Sequence, residues 1–187
     1  MGAPVKIVEI LPTDFEAIIQ IANSCFGKDY LTADQLSKLV EWKGVFLKAL
    51  VNDKTVGFCF TLWYPENDNI DPQLIDYSGK HFVFPIGAIK TIAVEKQFQL
   101  QGIGSMLIEA SIKKANKMFG ATVFLYLAWT ESKSFGFTAK LKKMGFEAVE
   151  IIPNYWYKES LKRNFGCLRC GNPPCNCSLT LFKVTIL

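Results

Sequence analysis

Histidine is almost absent from this chain: His81 is the only imidazole in 187 residues. A catalytic pair built on histidine therefore has one candidate, placed between a turn-rich stretch and Phe82-Val83-Phe84, where a bystander is the expected reading. Long apolar runs are missing as well. No stretch approaches the roughly 20 apolar residues that span a bilayer, and MGAPVKIVEI has no apolar core behind a basic start, as a secretory leader would. These absences predict a soluble, cytoplasmic protein with no membrane partner. Charge of one sign is scarce too: the formal excess is +4, and its Lys and Arg are scattered rather than gathered into a stripe, so nucleic acid is not an expected partner. The chain has no Gly-x-x-x-x-Gly-Lys-Ser/Thr loop, and the dinucleotide fingerprint fails because Leu107 stands where its third glycine belongs. No internal repeat is present.

Half of the residues are apolar, enough at this length for one core to close without staples, so residues 1–187 are expected to form a single domain. Val5 to Ile10 reads as a strand. Thr13 with Glu16 reads as a capping box ahead of Phe15, Ile18, Ile19, Ala22 and Phe26, and Thr32 with Gln35 as a second one before Leu36. Val45 to Val51, the turn Asn52-Asp53-Lys54, and Thr55 to Trp63 predict a hairpin. Pro65 to Lys80 has turn formers and no period, and reads as a long loop. Further on, Ala121 to Trp129 is strand-like, Lys133 to Met144 a basic helix, Phe146 to Ile152 a strand, and Leu179 to Leu187 the last strand.

The most telling segment is Ile89 to Ala110. Ile89 to Val94 is a β-branched run of strand type, while Ile103, Met106, Leu107 and Ala110 recur at helical spacing. Between them lies Gln99-x-x-Gly102-x-Gly104. A glycine turn opening a helix offers free N–H groups and the positive end of the helix dipole, with no Cβ to obstruct a phosphate. It reads as a diphosphate cradle.

This pattern resembles the acetyl-CoA motif of the GNAT superfamily of N-acetyltransferases, Arg/Gln-x-x-Gly-x-Gly/Ala after a strand. Gly145-Phe146 after the basic helix resembles that family's Gly-Phe element, and the order of elements agrees from about residue 5 to 152. The resemblance implies an α/β fold with a mixed sheet of six or seven strands flanked by about four helices. It implies acetyl-CoA as cosubstrate, with Ile92 and Val94 serving the pantetheine arm. Gln99, Leu100, Gln101, Gly102, Ile103, Gly104 and Ser105 would serve the phosphates. The acceptor would be a small-molecule amine or a peptide amine, and a homodimer is a common assembly.

Acetyl transfer needs an uncharged amine, a polarised carbonyl and a proton for the departing thiolate. The family commonly places a Tyr four residues before its Gly-Phe glycine; here Leu141 stands there. Ser134 takes the register of the usual Asn, and Phe137 that of the small Ala. Tyr126 is then the candidate acid and Glu95 the candidate base acting through water, each against the plainer reading of a core tyrosine and a solvated strand end. Backbone N–H polarisation from Val94 is a further contribution. Asn154-Tyr155-Trp156-Tyr157 either lines the acceptor pocket or packs the following segment. Cys25 and Cys59 read as small core residues, and with no cysteine expected beside the strand end, direct attack in a ternary complex is expected. Two other classes stay open: an acyl-CoA binding module without turnover, and a metal-organised interaction protein.

The second dense feature is Cys167-Leu-Arg-Cys170-Gly-Asn-Pro-Pro-Cys175-Asn-Cys177, an insertion at 167–177 before the last strand. Cys167 to Gly171 reads C-x-x-C-G, a knuckle in which two thiolates grip one metal, and Cys175 and Cys177 would complete a four-thiolate zinc site. An iron–sulfur cluster takes the same donors. Two disulfides or four reduced thiols are the plain alternatives. Four protein ligands leave no open position, so a metal here would be structural.

Overall fold

The computed structural model describes residues 4–66, 82–130 and 135–186. His81, Ser134 and nearly all of the expected loop at 65–80 lie outside them. One seven-stranded sheet organises the chain, in the order β1-β2-β3-β4-β5-β7-β6. Its strands are β1 (Val5–Glu9), β2 (Gly44–Val51), β3 (Lys54–Tyr64), β4 (Ile86–Val94), β5 (Val123–Thr130), β6 (Glu147–Ile152) and β7 (Ser178–Thr185). Five α-helices are present among the described residues: α1 (Phe15–Phe26), α2 (Ala33–Val40), α3 (Ile103–Phe119), α4 (Phe135–Lys143) and α5 (Tyr157–Arg163). The expected mixed α/β sheet is what forms, and no helix of the described residues is long and apolar enough to cross a membrane.

Local sequence explains most elements. Asn52 and Asp53 both take positive φ, 49° and 60°, the conformation that a tight hairpin turn demands and that Asn and Asp tolerate. Thr32 caps α2 as expected, its Oγ1 accepting from the Gln35 amide at 3.3 Å while the Gln35 side chain accepts from the Thr32 amide at 3.0 Å. The Thr13–Glu16 box does not form. Pro12 starts a 3-10 turn instead, and Asp14 reaches back to accept from the Leu11 amide at 2.7 Å. Met106, expected on the buried stripe of α3, is exposed; that stripe consists of Ile103, Leu107, Ile108, Ser111 and Ala115. Helix α5 was not apparent in the sequence, because its seven residues are too few for a period to register.

All neighbouring strands run antiparallel except β4 and β5. That one parallel pair is short. It spans Ile86↔Val123 to Ile89↔Tyr126, after which β4 continues to Val94 against β3 alone and β5 continues to Thr130 against β7 alone. A bulge coincides with the separation, since Phe60 faces Thr91 and Thr61 faces Ile89, leaving Lys90 as the extra residue. An extra residue bends its strand and raises its twist, so the sheet forks at this point.

Two faces are covered by different material. On one, α3 packs over β1 to β4 in a core that includes Leu107, Phe124, Tyr126, Leu141 and Phe146. On the other, α1 covers β3 and β4, and α2 packs beside α1, in a core that includes Ile18, Leu36, Phe58 and Phe165. Beside that second core, Tyr155, Trp156, Cys167, Cys175 and Cys177 pack with Leu125, Leu179 and Leu181.

Candidate active site and cysteine centre

A cleft of about 410 Å³ opens at the fork. Ile92 and Val94 from the free end of β4, Gln99, Leu100 and Gly102 from the turn, and Ile103, Gly104 and Ser105 from the first turn of α3 all line it, together with Tyr126. The positions expected to serve the pantetheine arm and the phosphates thus converge on one cavity. Gln101 does not line it; its side chain turns back to donate to the Gln97 carbonyl at 3.2 Å.

The turn is shaped for an anion. Leu100 and Gly102 both take left-handed φ, 62° and 85°, and a Cβ built on Gly102 would meet nothing within 4 Å, so the space above it is open. Helical hydrogen bonding starts with the Met106 amide donating to the Gly102 carbonyl at 3.1 Å. The Ile103, Gly104 and Ser105 amides therefore precede the ladder, and no acidic side chain occupies the first turn to neutralise the dipole. Gln99 has a positioning role: its Nε2 donates to the Val94 carbonyl at 2.8 Å, tying the turn to the free end of β4.

Tyr126 stands at the fork on β5, only 8% exposed. Burial, then the proximity of Cys59 and Tyr30, pushes its phenol well above the usual tyrosine range, so it holds its proton. Glu95 is placed differently. Lys54 grips its carboxylate at 3.0 and 3.1 Å, Gln97 donates to it at 2.9 Å, and it does not line the cleft. Leu141 is fully buried in the core. Its neighbour Lys140 lines the cleft instead and brings a cation to it, as Phe98 brings an aromatic wall; neither could be told from the sequence, since both depend on the rotation of a short element.

One expectation about cysteine changes. Cys25 is half-buried rather than core, and its Sγ lies 3.5 Å from the Val94 carbonyl, beside the free end of β4. Burial is the main cause that raises its thiol, and the thiol donates to the Val94 carbonyl, so the nucleophilic thiolate is disfavoured. Cys59 is a core residue as expected, fully buried and pushed up to about 11 by desolvation.

The glycine turn, the fork and the family they suggest meet independent comparisons. A family model described as the Acetyltransferase (GNAT) family matches residues 15–146. The chain belongs to the GNAT family. It is a GNAT-type N-acetyltransferase, and members of this family bind acetyl-CoA. It is 26% identical over 158 residues to an N-alpha-acetyltransferase of Sulfurisphaera tokodaii, covering 83% of this chain and 87% of that one. Among solved structures it resembles Ard1 from Thermoplasma volcanium, at TM-score 0.69 and 20% identity over 98% of each chain. It also resembles Arabidopsis thaliana NAA60 in complex with a bisubstrate analogue, at TM-score 0.72 and 15% identity over 98% of each chain.

The cysteine segment of this acetyltransferase forms a second centre. The four sulfurs of Cys167, Cys170, Cys175 and Cys177 lie within 4.8 Å of one another, with Cys170 and Cys167 at 3.6 and 3.9 Å from Cys177. Four thiolates about 2.3 Å from one zinc ion stand about 3.8 Å apart at the corners of a tetrahedron. A disulfide would instead draw sulfurs together in pairs at about 2.05 Å. Cys167 and Gly171 exchange amide-to-carbonyl bonds of 2.8 Å, and the Arg169 and Cys170 amides donate to the Cys167 sulfur at 3.4 and 3.3 Å. Amides aimed at sulfur offset thiolate charge, so donor set, spacing and surroundings all fit zinc.

Proposed function

We propose that this protein transfers acetyl from acetyl-CoA to the α-amine of a peptide, by direct attack in a ternary complex and in the cytoplasm. The convergence of the free β4 end, the glycine turn and a protonated Tyr126 in one cleft is the observation that carries this reading. The pyrophosphate lies over the amides of residues 102–105, and the pantetheine arm extends β4 through the backbone of Ile92 and Val94, which β5 has left. The thioester then falls at the fork.

The amine nitrogen attacks the thioester carbon, the C–N bond forms, and the C–S bond breaks with its electron pair leaving on sulfur. The Val94 amide polarises the carbonyl, and the Tyr126 hydroxyl donates the proton that the CoA thiolate needs. Glu95 relays the amine's proton through water, with Lys54 holding the carboxylate in place. Acylation of Cys25 is disfavoured by its raised pKa, which supports direct attack. The preference for an α-amine rests on the curated relative's activity. Zinc on Cys167, Cys170, Cys175 and Cys177 is a structural element of the same chain.

Calorimetric titration with acetyl-CoA, CoA and dephospho-CoA, followed by turnover on peptides with free and with blocked N-termini, tests the reading. Micromolar binding with acetylation of free N-termini alone is expected. Cofactor binding without turnover on any amine would favour the acyl-CoA binding module and overturn the enzymatic proposal.

A further inference from the structure

The cysteine centre and the acetyl-transfer fork are joined by one side chain. Trp129 lies on β5 three residues past Tyr126, on the part of the strand that β4 no longer accompanies. It packs with the cluster that holds Cys167, Cys175 and Cys177, and its indole is near enough to the Cys177 sulfur to act on that thiol's charge. Its ring packs against Trp156 at 5.5 Å on one side, and stacks with Phe26 at 6.0 Å and Tyr30 at 6.3 Å on the other. The same residue thus belongs to the packing around the cysteines and to that around α1.

A second connection runs through the backbone. Gly27, at the end of α1, takes φ of 124°, and a Cβ on it would come within 1.8 Å of the Gly166 carbonyl oxygen. The residue next to Cys167 therefore lies flush against the α1 terminus, and its amide donates to the Lys28 carbonyl at 3.2 Å. Arg163 reaches from α5 to the Tyr30 carbonyl and places its guanidinium 5.5 Å from the Tyr30 ring. Ser160 on α5 in turn accepts from the Cys175 amide at 2.8 Å.

The segment held in this way borders the fork. Cys25, two residues before Gly27, touches the Val94 carbonyl, and Tyr30 is close enough to Tyr126 to influence its charge. The cofactor turn, the free end of β4 and Tyr126 line the cleft; Cys25 adjoins it through the Val94 carbonyl, and Trp129, stacked with Tyr30, continues β5 beyond the fork, the direction assigned in this proposal to an acceptor approaching a thioester already covered by its own CoA.

We propose that a zinc ion on the four cysteines acts as a clasp for the acceptor wall, fixing Trp129 through the Cys177 sulfur and the residue 27–31 segment through Gly166, so that metal occupancy governs acceptor positioning. The proposal rests on the zinc reading above and extends it from a local staple to a determinant of acceptor binding. Groups that adjoin a metal ligand orient it and are oriented by it. Trp129 is in these terms a positioning residue, and the metal stays outside the chemistry.

The test uses the full chain. Metal analysis of the purified protein should find one zinc per chain; none, with no uptake by the stripped protein, overturns both the zinc reading and the clasp. Hydrogen exchange is then compared between stripped and zinc-loaded protein. Zinc should slow exchange at the amides of Tyr30 and Leu31 by about tenfold or more; protection confined to residues 167–177 would leave the zinc site standing and overturn the clasp. Trp129→Phe should retain the metal, and with cobalt in place of zinc its thiolate-to-metal absorption should move to longer wavelength, because a sulfur that loses the neighbouring indole N–H holds its electrons less tightly. An unmoved band would overturn the role of Trp129. With an α-amine peptide that the intact enzyme acetylates, the same variant should raise acceptor KM about fivefold to tenfold while the acetyl-CoA Kd stays within twofold. These readouts other than KM are independent of turnover, so failure of the acetylation reading is seen separately.

Discussion

Tyr126 is paired with Ile89, and this is the last point at which the two parallel strands touch. The phenol therefore sits at the vertex of the fork, within a buried wall of the cleft. Removing its hydroxyl alone, in Tyr126→Phe, should lower kcat about a hundredfold with the acetyl-CoA Kd within twofold of the native value. Stopped-turnover assays and calorimetry on the same preparation check the two halves. Because burial raises the phenol pKa, kcat should show no falling limb from this group below about pH 10, the ordinary tyrosine value. An unchanged kcat would remove Tyr126 as the proton donor.

Gly102 and Gly120 provide an internal comparison. Both take left-handed φ, 85° and 66°, and neither would meet a neighbour within 4 Å on gaining a Cβ. Valine at either position carries a similar backbone cost of about 1–2 kcal/mol, but only Gly102 lines the cleft. Gly102→Val should raise the acetyl-CoA Kd at least about tenfold, since its side chain fills space that the pyrophosphate requires. Gly120→Val should show the loss of thermal stability without the loss of affinity. Equal affinities would place the phosphates elsewhere.

Cys59 makes stability depend on pH in a predictable direction. Its thiol titrates at about 11 in the folded chain against 9.0 as an ordinary thiol, so below pH 9 both states hold the proton and stability is full. Between about 9 and 11 the unfolded chain releases a proton that the native state retains, and stability should fall by about 1.4 kcal/mol per pH unit from this group. Tyr126 adds to the fall above about pH 10, with the same sign. Urea midpoints at pH 8, 9 and 10 should decline in that order, and Cys59→Ser, which keeps a hydroxyl beside Thr61, should flatten the step from 9 to 10. Parallel curves for the two proteins would show that another group is responsible.

Much of the fold was legible in the sequence because it is locally encoded. The hairpin follows from Asn52-Asp53, the start of α2 from Thr32 and Gln35, and the glycine turn from a strand that stops, two glycines and a helical period. The four cysteines announced a centre by their spacing alone. Misreadings fell where local rules compete: Pro12 and Asp14 took over the entry to α1 from Thr13, and a side chain on the rim of the apolar stripe, Met106, turned outward.

The sequence by itself determined the family, the glycine turn that opens α3 and the grouping of four cysteines, since each depends on residues close together in the chain. Tertiary structure decided everything that depends on where strands part and which distant segments abut. No local signal says that β4 and β5 separate after Ile89 and Tyr126, that Lys140 replaces the position of Leu141 at the cleft, or that Cys25 lies against Val94. Nor does the sequence reveal that Gly27 and Gly166, or Trp129 and Cys177, are neighbours. Such contacts arise from sheet twist, bulge and the closure of two cores on one sheet, and these are set by packing across the whole chain rather than by any stretch of it.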